Sequence, residues 1–186
     1  MKIAAGPLSE QQVDYSPIVQ ALQGWRELRS VTLADGGVSQ AAWKSLDAHK
    51  TLQELTVDGS FTKASDFNKL KCLQHLSVLR LNRCEDLADL LPALSGNREL
   101  ESLYISEAST LPSGKAFASL RTCKKLGLIE LSACRVSDEQ LDAIADNLQL
   151  FSLRLIRCEG VSPRKVLALA GKHRKVLITV RILRKT

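Results

Sequence analysis

The chain repeats the stretch Leu76-Ser77-Val78-Leu79-Arg80-Leu81-Asn82-Arg83-Cys84, whose pattern is L-x-x-L-x-L-x-x-C. Successive copies start 24, 24, 24, 26, 24 and 25 residues apart within a chain of 186 residues. A fixed period in this range is typical of a solenoid, in which each copy is one structural unit. The copies start at Leu28, Leu52, Leu76, Leu100, Leu126 and Leu150, and a degenerate last copy starts at Lys175.

Each unit has a strand-like half and a helix-like half. The L-x-x-L-x-L half alternates apolar and polar residues, which predicts a β-strand. The other half has helical spacing: Leu141, Ile144, Ala145 and Leu148 would form one inward-facing stripe. A serine cap followed by proline, with a closing glycine, predicts further helices at 16–24 and 162–171. Residues 9–12 and 137–140 fit the capping-box pattern at the start of a helix. Less regular helices are expected at 38–50, 65–75 and 115–125.

Two segments depart from the regular unit. Pro92 falls inside the apolar stretch 87–94, and we expect a short or broken helix there. The step of 26 residues needs two extra residues, which we place in a turn within 109–114.

A strand and a helix in every unit can bury their apolar faces only by stacking on neighbouring units. Successive strands then pair in parallel through right-handed crossovers. Because a helix is about 10 Å across and strands lie about 4.8 Å apart, the stack curves. We therefore expect a single α/β domain over 1–186, with the parallel sheet on the concave face and helices on the convex face. Residues 1–27 would form a helical cap, 28–174 six repeats and 175–186 a basic terminal strand.

The units resemble leucine-rich repeats, in particular the cysteine-containing type close to the ribonuclease-inhibitor-like group. The residues that carry the resemblance are Cys134-Arg135-Val136-Ser137-Asp138-Glu139-Gln140-Leu141, then Ile144-Ala145, then Leu150-x-x-Leu153-x-Leu155-x-x-Cys158. The resemblance covers residues 28 to 183 and implies a right-handed β/α superhelix. The ninth position departs from Asn or Cys at Gly36, Ser60 and Ala108. The family also includes substrate receptors of ubiquitin ligases, although residues 1–25 do not resemble their adaptor-binding box.

The cysteines and histidines do not form a recognisable catalytic or metal site. Cys84, Cys134 and Cys158 occupy the ninth repeat position, where a small buried side chain is expected. Cys72 and His75 provide two ligands, whereas zinc takes four. Motifs for a nucleophilic serine, a phosphate loop or a zinc protease do not occur. We therefore predict a protein that is not an enzyme and uses no metal or cofactor.

The same residues bear on the cellular compartment. Five cysteines without a C-x-x-C pair favour a reducing, intracellular location, most simply the cytoplasm. No apolar run approaches the ~18 residues of a membrane span. Residues 1–7 also lack the apolar core of a signal peptide.

The fifth, seventh and eighth repeat positions should face solvent on the concave side, because side chains alternate along a strand. Arginine and tyrosine are enriched among the residues that dominate binding at protein interfaces. The mixed signs of charge favour a protein or peptide partner over a polyanion. The candidate binding residues are Arg80, Arg83, Tyr104, Glu107, Glu130, Arg154 and Arg157.

The chain has a basic C-terminal end. Eight Lys or Arg residues and no Asp or Glu follow Gly160, and subtracting them from the net charge of +6 leaves −2 for the rest. Such an end binds nucleic acid or an anionic surface, protects a terminal strand from aggregation, or pairs with a strand of another chain. The basic patch considered for these roles is Lys172, Arg174, Lys175, Arg181, Arg184 and Lys185.

These observations favour a non-enzymatic interaction module that binds a protein or peptide on its concave face. The alternatives are a nucleic-acid- or anionic-surface-associated subunit that uses the basic end, and a substrate receptor of a ubiquitin ligase. The sequence leaves the oligomeric state open.

Overall fold

The computed structural model describes residues 2–4, 13–14, 16–34, 36–59 and 63–181, with the backbone alone at 2–4, 13, 23 and 36–37. The capping box predicted at 9–12 lies outside the described residues, as do Ser60, Arg184 and Lys185.

Ten strands are present in the described part of the chain. Eight of them form one parallel sheet in the order β1-β3-β5-β6-β7-β8-β9-β10, and β2 pairs with β4. The strands are β1 (Lys2–Ala4), β2 (Val13–Asp14), β3 (Ser30–Ala34), β4 (Gly36–Gly37), β5 (Glu54–Asp58), β6 (Val78–Asn82), β7 (Ser102–Ser106), β8 (Leu128–Ser132), β9 (Ser152–Ile156) and β10 (Leu177–Arg181).

The register of the sheet confirms that the repeats stack position on position. Leu79 pairs with Leu103, Leu103 with Ile129, and Ile129 with Leu153. All four side chains are buried. Each repeat therefore places its apolar strand residues directly against those of its neighbours, as the period of the sequence predicts.

Helices fill the opposite layer of each repeat. The capping box predicted at Ser137 is present, since its hydroxyl accepts from the Gln140 N–H and its own N–H donates to the Gln140 side chain. Pro92 lies in a helix of only four residues, as predicted. The α-helices are α1 (Ser16–Ala21), α2 (Gln40–Ser45), α3 (Leu90–Ala93), α4 (Gly114–Ala118), α5 (Asp138–Ala145) and α6 (Pro163–Lys172).

The segment 65–75, predicted as an α-helix, instead forms two 3₁₀ helices, Ala64–Asp66 and Lys71–His75. The reason lies in the spacing of its apolar residues. Buried residues recur every third position, which fits the three residues per turn of a 3₁₀ helix better than the 3.6 of an α-helix. They are Ala64, Phe67, Leu70, Leu73 and Leu76.

Two further expectations need correction. Leu148 does not join the inward stripe of α5, because that helix ends at Ala145 and the Leu148 side chain is 92% exposed. The N-terminal cap is not purely helical either. Its strand β1 pairs with β3, with Lys2 opposite Thr32, so the sheet continues into the cap.

The cysteines at the ninth position occupy equivalent places between repeats. The Sγ–H groups of Cys84, Cys134 and Cys158 donate to carbonyls of the preceding repeat at 3.6, 3.8 and 3.2 Å. Burial raises the pKa of the Cys84 thiol to about 12, and burial also raises the pKa of Cys134 and Cys158. These thiols are therefore neutral structural groups rather than nucleophiles.

Asn97 makes a second polar connection between repeats, at the other end of the strands. Its side-chain amide donates to the Leu73 and Leu76 carbonyls at 2.6 and 3.0 Å. Its Oδ1 accepts from the Glu99 and Leu100 N–H groups at 2.7 and 2.8 Å. The residue is 0% exposed, so each of these backbone groups would lack a partner if the side chain were lost.

The substitution Asn97→Ala should lower the free energy of unfolding by about 3 kcal/mol, because it leaves several buried backbone groups unsatisfied. Asn68→Ala is the matched control, since the Asn68 Oδ1 has no hydrogen-bond partner among the described residues. We expect that control to change stability by less than about 1 kcal/mol. Urea unfolding of both variants measures the difference, and equal losses would contradict this role of Asn97.

Candidate functional site

The fifth repeat positions place four of the predicted binding residues in one row across the concave face. Arg80 pairs with Tyr104, Tyr104 with Glu130, and Glu130 with Arg154, each on the next strand. Neighbouring members of the row are therefore about 4.8 Å apart at the backbone. The repeat spacing alone brings these side chains together.

Contacts within the row hold the side chains in place. The Arg80 guanidinium lies over the Tyr104 ring, 4.7 Å from its centroid. Its Nη1 is 3.7 Å from Glu54 Oε2 on the previous strand. Further along the row, Arg154 Nη1 donates to Glu130 Oε2 at 3.5 Å. Exposed contacts of this kind contribute at most about 1 kcal/mol each to the free energy of folding, so their main effect is to orient the side chains.

A second polar row lies at the seventh positions. Asn82 donates to Asp58 Oδ1 at 2.8 Å, and the Ser106 hydroxyl donates to Asn82 Oδ1 at 2.8 Å. Arg83 joins this row, because its Nε and Nη2 donate to Asp58 Oδ1 at 3.0 and 2.8 Å. Sequence reasoning had not selected Glu54, Asp58, Asn82 or Ser106. Their signal was their repeat position, since all four occur at the third or seventh place of a copy.

The eighth positions share an unusual backbone conformation at the ends of the strands. Arg83, Glu107, Ala133 and Arg157 have φ values of 55°, 53°, 51° and 55°. Each N–H donates to the seventh-position carbonyl of the next strand, at 2.7 to 2.9 Å. The left-handed conformation turns the chain out of the sheet and aligns the predicted residues Arg83, Glu107 and Arg157 along one rim of the face.

Charges of both signs are balanced on this surface. It carries four carboxylates and four guanidinium groups, and several of them are paired across neighbouring strands. Such a surface does not attract a polyanion or a polycation as a whole. The charged residues are Glu54, Asp58, Glu107 and Glu130, with Arg80, Arg83, Arg154 and Arg157.

Comparison with solved structures agrees with this architecture. Internalin C2 of Listeria monocytogenes is similar with a TM-score of 0.53 and 18% identity, over 90% of this chain and 68% of that one. Internalin F of the same organism is similar with a TM-score of 0.50 and 16% identity, over 90% of this chain and 51% of that one. No protein-family model and no curated protein matches the sequence. The fold is a leucine-rich-repeat solenoid.

In this leucine-rich-repeat fold, the residues of the predicted basic patch lie at several separate points. Lys172 Nζ contacts Asp146 Oδ1 at 3.0 Å, and Arg121 and His173 also lie within 3.3 Å of that carboxylate. The hydrogen bond from Lys172 is the main reason that the pKa of Asp146 is lowered. Part of the basic charge is therefore neutralised within the leucine-rich-repeat domain itself.

The remaining basic residues are spread along the terminal strand. Lys175 precedes β10 and Arg181 ends it, so the two are about 20 Å apart at 3.3 Å per residue. Arg174 is exposed on the turn before the strand. The described basic residues thus lie at both ends of β10 rather than at one point.

The described residues lack the features of two other kinds of site. They contain no group of three or more His, Cys, Asp or Glu side chains arranged to hold a metal ion. None of their helices combines the length and apolar character that crossing a bilayer requires.

The left-handed conformation at the eighth position predicts that an alanine-to-glycine substitution has opposite effects on stability at two places in the chain. Ala133→Gly should stabilise the protein by about 0.5–1 kcal/mol, because glycine adopts a φ of 51° without the steric cost of a Cβ. Ala168→Gly, on the exposed side of α6, should destabilise by about 1 kcal/mol. Chemical unfolding of the two variants tests this, and a loss of stability in both would contradict the assigned conformation.

Proposed function

We propose that this leucine-rich-repeat chain is a non-enzymatic module that binds a protein or peptide on its concave strand face. The binding residues are those of the fifth-position row and the rim: Arg80, Arg83, Tyr104, Glu107, Glu130, Arg154 and Arg157. The observation that carries the proposal is the stacking of Arg80 on Tyr104 within an in-register row. A guanidinium and a phenol held in place before binding lose little conformational freedom when a partner arrives.

The balance of charge on the face supports a partner that carries both signs of charge. Each fixed ion pair presents a donor and an acceptor at a defined spacing, which matches the mixed surface of a folded protein or a peptide. Electrostatic complementarity of this type mainly provides specificity and correct orientation.

The alternative roles have less support. Nucleic-acid or anionic-surface binding at the basic end requires clustered cations, and the described ones are partly neutralised by Asp146 and separated along β10. A role as a substrate receptor of a ubiquitin ligase rests on the family resemblance alone. We include an intracellular location in the proposal, because all five cysteines are free thiols.

The double substitution Arg80→Glu/Tyr104→Ala tests the concave face. It removes the stacked pair and reverses one charge, so partner affinity should fall at least about 30-fold if both residues are binding hot spots. The measurement is affinity capture from the native source, followed by titration of the captured protein against the purified wild type and variant.

A matched control keeps the test specific. Arg98→Glu/Trp25→Ala also reverses one exposed charge and removes one exposed aromatic ring, but outside the concave strands. It should bind like the wild type. Equal affinity of all three proteins, with unchanged circular dichroism and unfolding, would contradict the proposal. Capture that depends on nuclease-sensitive material would instead support the basic end.

A further inference from the structure

The edge of the sheet at which the strands begin changes character in its last repeats. At the second repeat position, the first four copies have polar residues, Arg29, Gln53, Ser77 and Glu101. The next copies have Gly127, Phe151 and Val176. Two large apolar side chains are exposed at this end, since Phe151 is 62% exposed and Leu177 is 67% exposed.

Phe151 is fixed in place by the glycine of the preceding repeat. A Cβ added to Gly127 would lie 2.1 Å from the Phe151 Cε1, so the ring lies directly against the Gly127 backbone. The Phe151 N–H also donates to the Gly127 carbonyl at 2.9 Å. The ring is therefore packed against the Gly127 backbone on one side, although 62% of the residue remains exposed.

Leu177 extends this apolar surface onto the terminal strand. Its N–H donates to the Phe151 carbonyl at 2.8 Å, and it lies opposite Ser152 in the sheet. Leu128 lies opposite Ser152 on the other side, and Ser152 itself is buried. Leu128 is buried, so the exposed apolar surface consists of Phe151 and Leu177, and we name it the apolar strip.

The last repeats carry mostly positive charge. Residues 150–181 contain eight Lys or Arg and one carboxylate, Glu159. Of the eight, Lys165 pairs with Asp142 on α5, and Lys172 pairs with Asp146, which directly follows that helix. Arg154 pairs with Glu130. On or beside the terminal strand lie the exposed residues Arg157, Lys175 and Arg181, so cations occur at both ends of β10.

From this combination we propose that the apolar strip binds an acidic peptide segment of a partner protein through an aromatic or branched apolar side chain. The apolar side chain would cover Phe151 and Leu177, and the flanking carboxylates would meet Lys175 at one end of β10 and Arg157 and Arg181 at the other. This inference rests on the proposed function, because it names the partner chemistry for one part of the same face.

Charge and chemistry favour an acidic peptide over a second copy of the chain and over an oligonucleotide. A second copy of the chain would bring two surfaces with the same excess of positive charge together, which is unfavourable. An oligonucleotide offers phosphates and bases but no aliphatic group to cover Leu177, and the strip has one aromatic ring rather than a series for stacking.

A random-peptide display selection on the immobilised wild-type chain tests the proposal. Enriched peptides should contain an aromatic or branched apolar residue flanked by Asp or Glu. Synthetic versions should bind the Phe151→Ser/Leu177→Ser variant at least about tenfold more weakly than the wild type. Charge reversal in Lys175→Glu/Arg181→Glu should also weaken them.

Ile18→Ser/Leu167→Ser is the matched control, because it removes two exposed apolar side chains outside the sheet, 40% and 73% exposed. It should bind the peptides like the wild type. Peptides that lose affinity in Arg80→Glu/Tyr104→Ala but not in Phe151→Ser/Leu177→Ser would overturn this inference and leave the proposed function standing. Failure to enrich any peptide would overturn this inference, whereas the proposed function is decided by the capture and titration with Arg80→Glu/Tyr104→Ala.

The other occupants are outcomes of the same experiment. Sedimentation of the wild type and of Phe151→Ser/Leu177→Ser detects a second copy, and a fluorescent 12-nucleotide RNA detects nucleic acid. Self-association or RNA binding that is lost in this variant would overturn the assignment of the strip to an acidic peptide.

Discussion

Parallel strand pairing in strict register is the constraint on which the rest of this structure depends. Each strand is too short to bury its leucines alone, and it does so only by lying against the same positions of the neighbouring repeats. The pairing of Leu79, Leu103, Ile129 and Leu153 shows this directly. The same pairing fixes the outward-facing residues, because side chains alternate along every strand. The pairing of the buried strand residues therefore sets the spacing of the surface residues.

Polar groups complete the contacts between repeats at both ends of the strands. Cysteine thiols donate to carbonyls where the strands end, and Asn97 ties two repeats together where they begin. These bonds satisfy backbone groups that the sheet leaves unpaired, and the helix layer fills the space behind them. The result is a stiff frame in which Arg80, Tyr104 and their neighbours are oriented without a partner.

Much of this arrangement can be predicted from the sequence, because the repeat period shows which residues occupy equivalent positions in successive repeats. It identifies the concave row and the buried Cys84 and Cys134 without any structural information, whereas Cys158 at the same repeat position is only half-buried. The left-handed φ of Arg83, Glu107 and Arg157 could not be predicted, since residue types other than glycine or asparagine carry no signal for it. The prediction of an α-helix at 65–75 was wrong, because the three-residue spacing of its apolar residues resembles the spacing of an α-helix. The exposure of Phe151 and Leu177 depends on their neighbours, and repeat position alone does not define it.

The most direct test of the stacked frame is a distance measurement across the concave face. Spin labels placed at Thr56 on β5 and Thr179 on β10 by a chemistry that does not use cysteine occupy the same repeat position five strands apart. In-register stacking predicts one narrow distance of about 24 Å between the labelled backbone positions, unchanged by mild temperature increase. A broad distribution that extends well beyond that spacing would contradict the account.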